Sequence, residues 1–156
     1  MIDFSELFIE AKGEPIEYMG ETLYMSDEIK VKENFVATIE LISTNSNYRQ
    51  GVSFCTEGVI DAGDGAVGKK HIFWEELWTK MNLGPIKIKG KSKNGIFIVY
   101  NSCQRDGCTE SWTCNCAMKK EVISKNEYIY HCNDWQWDED FDDIVFRVKI
   151  LEGIDE

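Results

Sequence analysis

Six carboxylates, Asp134, Asp138, Glu139, Asp140, Asp142 and Asp143, occupy the ten positions from 134 to 143 with no Lys or Arg between them. Like charge at that density is repulsive unless it is solvated, meets a cationic partner or binds a hard cation. Calcium accepts about six to eight oxygens from carboxylates, carbonyls and water and tolerates irregular geometry. Asp138, Asp140 and Asp142 alternate, so in extended backbone they point to one side, with Asp134 and Asp143 approaching from the flanks. These five aspartates are the expected calcium ligands. The spacing is not that of an EF-hand, which needs a Gly at its bend and a Glu closing a twelve-residue loop. The competing readings are a solvated loop whose Asp side chains cap local amides, ion pairing with Arg147 or Lys149, and an acidic binding face. Trp135 and Trp137 flank the run and read as binding residues, a sugar platform, or packing.

Five of the six cysteines, Cys103, Cys108, Cys114, Cys116 and Cys132, fall within thirty residues. Their order, Cys-x4-Cys-x5-Cys-x-Cys, lacks the paired knuckles of a structural zinc site. They read first as inert or loosely paired thiols, with zinc or redox chemistry second and zinc behind calcium as the expected metal. His71 and His131 have no nucleophile elbow beside them, and His131 and Cys132 point opposite ways in a strand. No catalytic constellation emerges, so the expectation is a protein that is not an enzyme.

The elements that must position these residues are mostly strands. Asp3 opens a short helix with Phe4, Leu7, Phe8 and Ala11 on one face, Glu6 at capping-box spacing and Gly13 to end it. Period-two patterning then predicts strands over 23–25, 29–32, 35–42 and 48–60. The glycine-rich stretch 61–68 lacks the ending of a phosphate-binding loop and reads as a connection, with Asp61 and Asp64 as outlying cation candidates. Residues 71–82 predict a strand running into one helical excursion stopped by Gly84-Pro85. Residues 86–100 predict a hairpin turning at Lys93-Asn94-Gly95. Its lysines read first as a solvent face or edge protection and second as a basic stripe for an acidic partner. Strands over 127–132 and 144–150 complete the pattern, with Phe141 facing the core to pin the acidic loop. The expected fold is a mainly β, single-domain antiparallel β-sandwich over 1–156, jelly-roll-like, with a short N-terminal helix and one short internal helix. A closed barrel is the alternative.

Composition sets the surroundings. With 43% hydrophobic and 29% charged residues the chain is globular, and its net charge of −11 repels a nucleic-acid backbone but admits a basic protein partner. No apolar run approaches membrane-spanning length, and the N-terminus lacks the basic and apolar regions of a signal peptide. A cytoplasmic location is expected.

The segment from Asp138 to Val148 resembles a stretch of several bacterial β-sandwich domains, some of them calcium-binding. That stretch runs Asp-x-Asp, an aromatic residue, Asn or Asp, Asp, an aliphatic residue, Val, then Phe or Val. The longer string Tyr130-His131-Cys132-Asn133-Asp134, the acidic run and Phe141 to Arg147 is similar to a group of small uncharacterised bacterial proteins. Trp74-Glu75-Glu76, Val99-Tyr100-Asn101 and Ser111-Trp112 match further segments of that group. The resemblance covers roughly 73–150 and implies a β-sandwich, with calcium ligands at Asp138, Asp140, Asp142 and Asp143. Two functions are then expected. The first is a non-catalytic binding module with calcium at the loop 134–143. The alternative is an acidic, immunity-like inhibitor that neutralises a basic bacterial toxin.

Overall fold

The computed structural model describes residues 3–155. Helix α1 (Phe4–Glu10) is followed by a small hairpin, β1 (Ile16–Tyr18) and β2 (Glu21–Leu23). Then come β3 (Asp27–Thr44), β4 (Gln50–Asp61), β5 (Val67–Trp74), helix α2 (Glu76–Thr79), β6 (Ile86–Arg105) and β7 (Cys108–Glu110). β8 (Ala117–Ser124), β9 (Glu127–Asn133) and β10 (Ile144–Ile154) finish the chain. All main-sheet pairings are antiparallel, in the order β5-β4-β6-β3-β10-β9-β8, with β7 added to the end of β6. The fold is mainly β and sandwich-like, with two short helices, as the strand pattern predicts. Among the described residues no helix is long and apolar enough to cross a membrane.

One sheet makes two layers because its long strands bulge along a shared line. Register shifts fall between Lys30 and Asn34 of β3, between Thr56 and Gly58 of β4, and between Ile150 and Ile154 of β10. A bulged strand bends and twists more strongly, so aligned bulges fold the sheet over. The enclosed core runs through both halves, from Phe54, Phe73, Phe97 and Phe35 to Tyr130, Phe146 and Val148. Burying such side chains contributes about 1.5–3 kcal/mol each, and aromatic pairs such as Phe35–Phe97, with centroids 5.0 Å apart, add to it.

The bend revises the hairpin expected over 86–100. β6 runs straight through Lys93-Asn94-Gly95, and β3 and β4 accompany it on both sides. Gly95 takes φ +74°, while the buried Ser92 hydroxyl accepts the N–H groups of Gly95 and Ile96. The turn residues therefore make a bulge, which moves the buried positions from the even residues 88, 90 and 92 to 97 and 99. The strands expected separately over 29–32 and 35–42 are likewise one strand, β3. β6 is also a central strand, so its lysines line a solvent face and protect no edge. Opposite Ser92, Gly58 has φ +146°, and a Cβ there would lie 2.0 Å from the Lys91 carbonyl oxygen. Gly58→Ala is expected to cost at least about 2 kcal/mol, measured by denaturant unfolding, because both the backbone angle and the space exclude a side chain.

A second, smaller core lies under α1, formed by Phe4, Phe8, Leu23, Ala117 and Phe141. Asp3 caps that helix by accepting the N–H groups of Ser5 and Glu6, and Gly13, at φ +82°, ends it by donating to the Phe8 carbonyl. Phe141 packs against Phe4 with centroids 6.4 Å apart and is 6% exposed. The acidic loop is thereby pinned at its middle, as expected.

Candidate metal centre

The loop between β9 and β10 is irregular from Asp134 to Asp143. Glu139 (φ 49°) and Phe141 (φ 54°) are left-handed, which is uncommon for residues with a Cβ and unfavourable for a bulky one. These two residues break the simple alternation. The carboxylates that meet are Asp138, Asp140 and Asp143, whose ligand oxygens all lie within 4.8 Å of one another. This trio could hold a metal ion.

The trio lines a cleft of about 450 Å³ together with Thr44, Asn45, Ser46, Asn47 and Gln136. Every side chain of that lining offers oxygen. Thr44 ends β3 and the turn between β3 and β4 supplies the next three; this turn is held to the loop by Asn45 Nδ2 donating to Asp142 Oδ2 at 2.8 Å. Asn45 N–H also donates to the Asp143 carbonyl at 3.1 Å.

Each of the five expected ligands has a definite place. Asp143 is 1% exposed, and its Oδ2 accepts the Asp134 N–H at 2.8 Å. Burial pushes its pKa up to about 8; the Asp134 N–H opposes the shift, and the charges of Asp134, Asp138 and Asp140 add to it. Asp140 rises to about 6, through desolvation first, then its hydrogen bond with Asp142 and the charges of Asp138 and Asp142. Asp138 is also raised, by desolvation and then by Asp134. Asp134 is fully buried and lies outside the trio. Its Oδ2 accepts from the Ser46 hydroxyl at 2.6 Å, from Gln50 Nε2 at 3.2 Å and from Gln136 Nε2 at 3.3 Å. It orders the cleft wall. Asp142 faces Asn45, which donates to its Oδ2, and lies against Asp140. No ion pair reaches any of these five aspartates among the described residues, so the competing reading of a pairing with Arg147 or Lys149 does not hold: Arg147 forms ion pairs with Glu40 and Glu127.

The tryptophans divide. Trp135 packs edge-on to Tyr48, with centroids 5.2 Å apart, under the Arg105 guanidinium, 4.0 Å from the ring centroid. Trp137 is 40% exposed beside the acidic side chains.

The thiols do not form a ligand cluster. Cys103, Cys116 and Cys132 are buried, Cys114 is half-buried and Cys108 exposed, and all are free. Burial pushes the thiols of Cys103 and Cys116 up to about 12 and that of Cys132 well above its ordinary value, so they stay protonated. A soft metal needs thiolates, and among the described residues the only ligand group that converges is the aspartate trio. Asp61 and Asp64 also lie outside it. The residues that sequence reasoning missed are Thr44, Asn45, Ser46, Asn47, Gln50 and Gln136. The Asn-Ser-Asn composition at 45–47 marks a turn but carries no hint of a site, and the other three have no local signal.

Comparison with known proteins adds no identity: no family model, no curated protein and no solved structure matches the chain.

Proposed function

We propose that the chain is a non-catalytic binding module in which Asp138, Asp140 and Asp143 hold a calcium ion that fixes the loop 134–143. The carrying observation is Asp143, a carboxylate 1% exposed, beside two more carboxylates and with no cationic side chain paired to it among the described residues. A buried charge of that kind is costly unless protonated or bound to a cation. The all-oxygen lining and irregular backbone suit a hard ion of flexible coordination, which favours calcium over zinc.

Thermal melting in millimolar calcium and in excess chelator tests the reading. At about one hundred times the dissociation constant the native state gains about 2.7 kcal/mol, a rise of roughly 5–10 °C for a chain of this size. Identical melting in both conditions overturns it.

A second reading is supported by the exposed Trp137 followed in the chain by exposed Asp138, Glu139 and Asp140, an aromatic residue and a run of acid that suit a basic protein partner. Capture of such a partner should weaken steeply with salt and be indifferent to chelator, which separates it from the calcium module.

A further inference from the structure

The lysines of β6 carry information independent of the acidic loop. Lys87, Lys89, Lys91 and Lys93 are all exposed and alternate along a strand with neighbours on both sides. Lysine is poorly suited to the middle of a sheet, and its usual use against edge-to-edge pairing does not apply here. Successive charges stand about 7 Å apart, within the roughly 8 Å screening length at physiological salt, so they repel one another and act together on a ligand. Carboxylates farther away than that length are largely screened from them.

The neighbouring acids leave most of that charge free. Lys91 sits 4.0 Å from Glu33, an exposed pair of little energetic value. Lys87, Lys89 and Lys93 have no ion pair among the described residues. Asp61 is opposite Lys89 in the ladder and offsets part of its charge, but its Oδ1 accepts the Gly63 N–H of its own loop at 2.9 Å and no ion pair joins it to Lys89 among the described residues. Glu152 lies two strands away, opposite Val36. Lys149, opposite Thr38, extends the positive face beyond Lys87.

At the bend this face opens into a cleft of about 780 Å³, lined by Glu33, Gly58, Val59, Lys91, Lys93 and Gly95 among others. Val59 (38% exposed) and Val67 (60%) add aliphatic surface on β4 and β5. The exposed large aromatic side chains, Trp112 and Trp137, lie elsewhere, so the face lacks the stacking platform a single-stranded nucleic acid would use.

We propose that the outer face of β6, with the cleft at its bend, docks an extended acidic peptide segment that alternates carboxylate and aliphatic side chains. An extended strand repeats its side chains every two residues, about 7 Å, which matches the lysine spacing and sets each carboxylate of the segment against a charge. The intervening aliphatic side chains point away from the lysines and favour the extended conformation.

Fluorescence anisotropy with a labelled peptide of about ten residues alternating Glu and Val tests this. Saturable binding is expected at about 50 mM salt, weakened at least about tenfold at about 500 mM. K87Q/K89Q/K91Q/K93Q should weaken it at least about tenfold, and K89Q/K91Q by a smaller factor, both without a fall in melting temperature. D138N/D140N should leave it unaltered, which separates this surface from the metal centre. Absence of saturable binding, equal binding by the lysine variants, or tighter binding of a Lys-Val peptide or an oligothymidylate would overturn the proposal.

Discussion

Asp143→Asn is expected to do two opposite things: stabilise the protein in chelator and abolish its response to calcium. In the folded chain the Asp143 carboxyl sits at about 8, far above the ordinary carboxylate value near 4, because burial and the neighbouring acids disfavour its charge. A folded-state pKa raised above the unfolded one means that the folded state binds more protons between the two values. Stability is therefore fully present below about pH 4 and is lost as pH rises through the window up to about 8. Asp140, at about 6, adds to the loss over the lower part of that range. At neutral pH the neutral asparagine removes the cost, a gain on the order of 2 kcal/mol that appears as roughly 4–8 °C in melting temperature. Calcium needs the ionised carboxylate, so wild-type affinity should climb with pH over the same interval, whereas the Asp143→Asn variant shows neither calcium-induced stabilisation nor this pH dependence. Equal calcium shifts in the two proteins would remove Asp143 from the site.

Lys120→Met should be the most destabilising of these substitutions. Asp27 is 5% exposed at the start of β3, and its Oδ2 accepts from the Tyr130 hydroxyl at 2.6 Å and from Lys120 Nζ at 2.8 Å. Lys120 Nζ also lies 4.5 Å from the centroid of the Tyr128 ring. Removing the ammonium leaves a buried carboxylate with one neutral donor, an uncompensated charge that costs about 3–5 kcal/mol. Asp27→Asn in the same protein should restore most of that loss, since a pair removed together costs far less than half of one. Urea unfolding of the two single variants and the double variant measures the coupling, and additive losses would show that the pair does not act as a unit.

Much of the fold was legible because it rests on local pattern. The alternation of Phe35, Ala37, Ile39 and Leu41 over 35–42 marks the apolar face of that part of β3; the first three are buried and Leu41 is half-buried against the core. The strand leading into a helix over 71–82 is β5 and α2, and Phe141 packs where its apolar character between two acids suggested. The bend was not legible. Lys93-Asn94-Gly95 has the composition of a turn, and only the two neighbouring strands, bulged at the same level, make it a bulge inside one strand. The lysine stripe misled for the same reason, since central and edge strands can carry the same alternation.

The sequence by itself determined where the negative charge is concentrated and that it leads into a strand, because both are properties of consecutive residues. Which carboxylates meet was decided by the tertiary structure. Left-handed backbone at Glu139 and Phe141, with Phe141 anchored against Phe4, turns Asp143 rather than Asp142 toward Asp138 and Asp140. The cleft wall comes from the β3–β4 turn, and the bond that joins it to the loop, Asn45 to Asp142, spans 97 residues. Alternation along a strand is a rule of neighbours, whereas convergence of charges is set by which distant segments the core brings together.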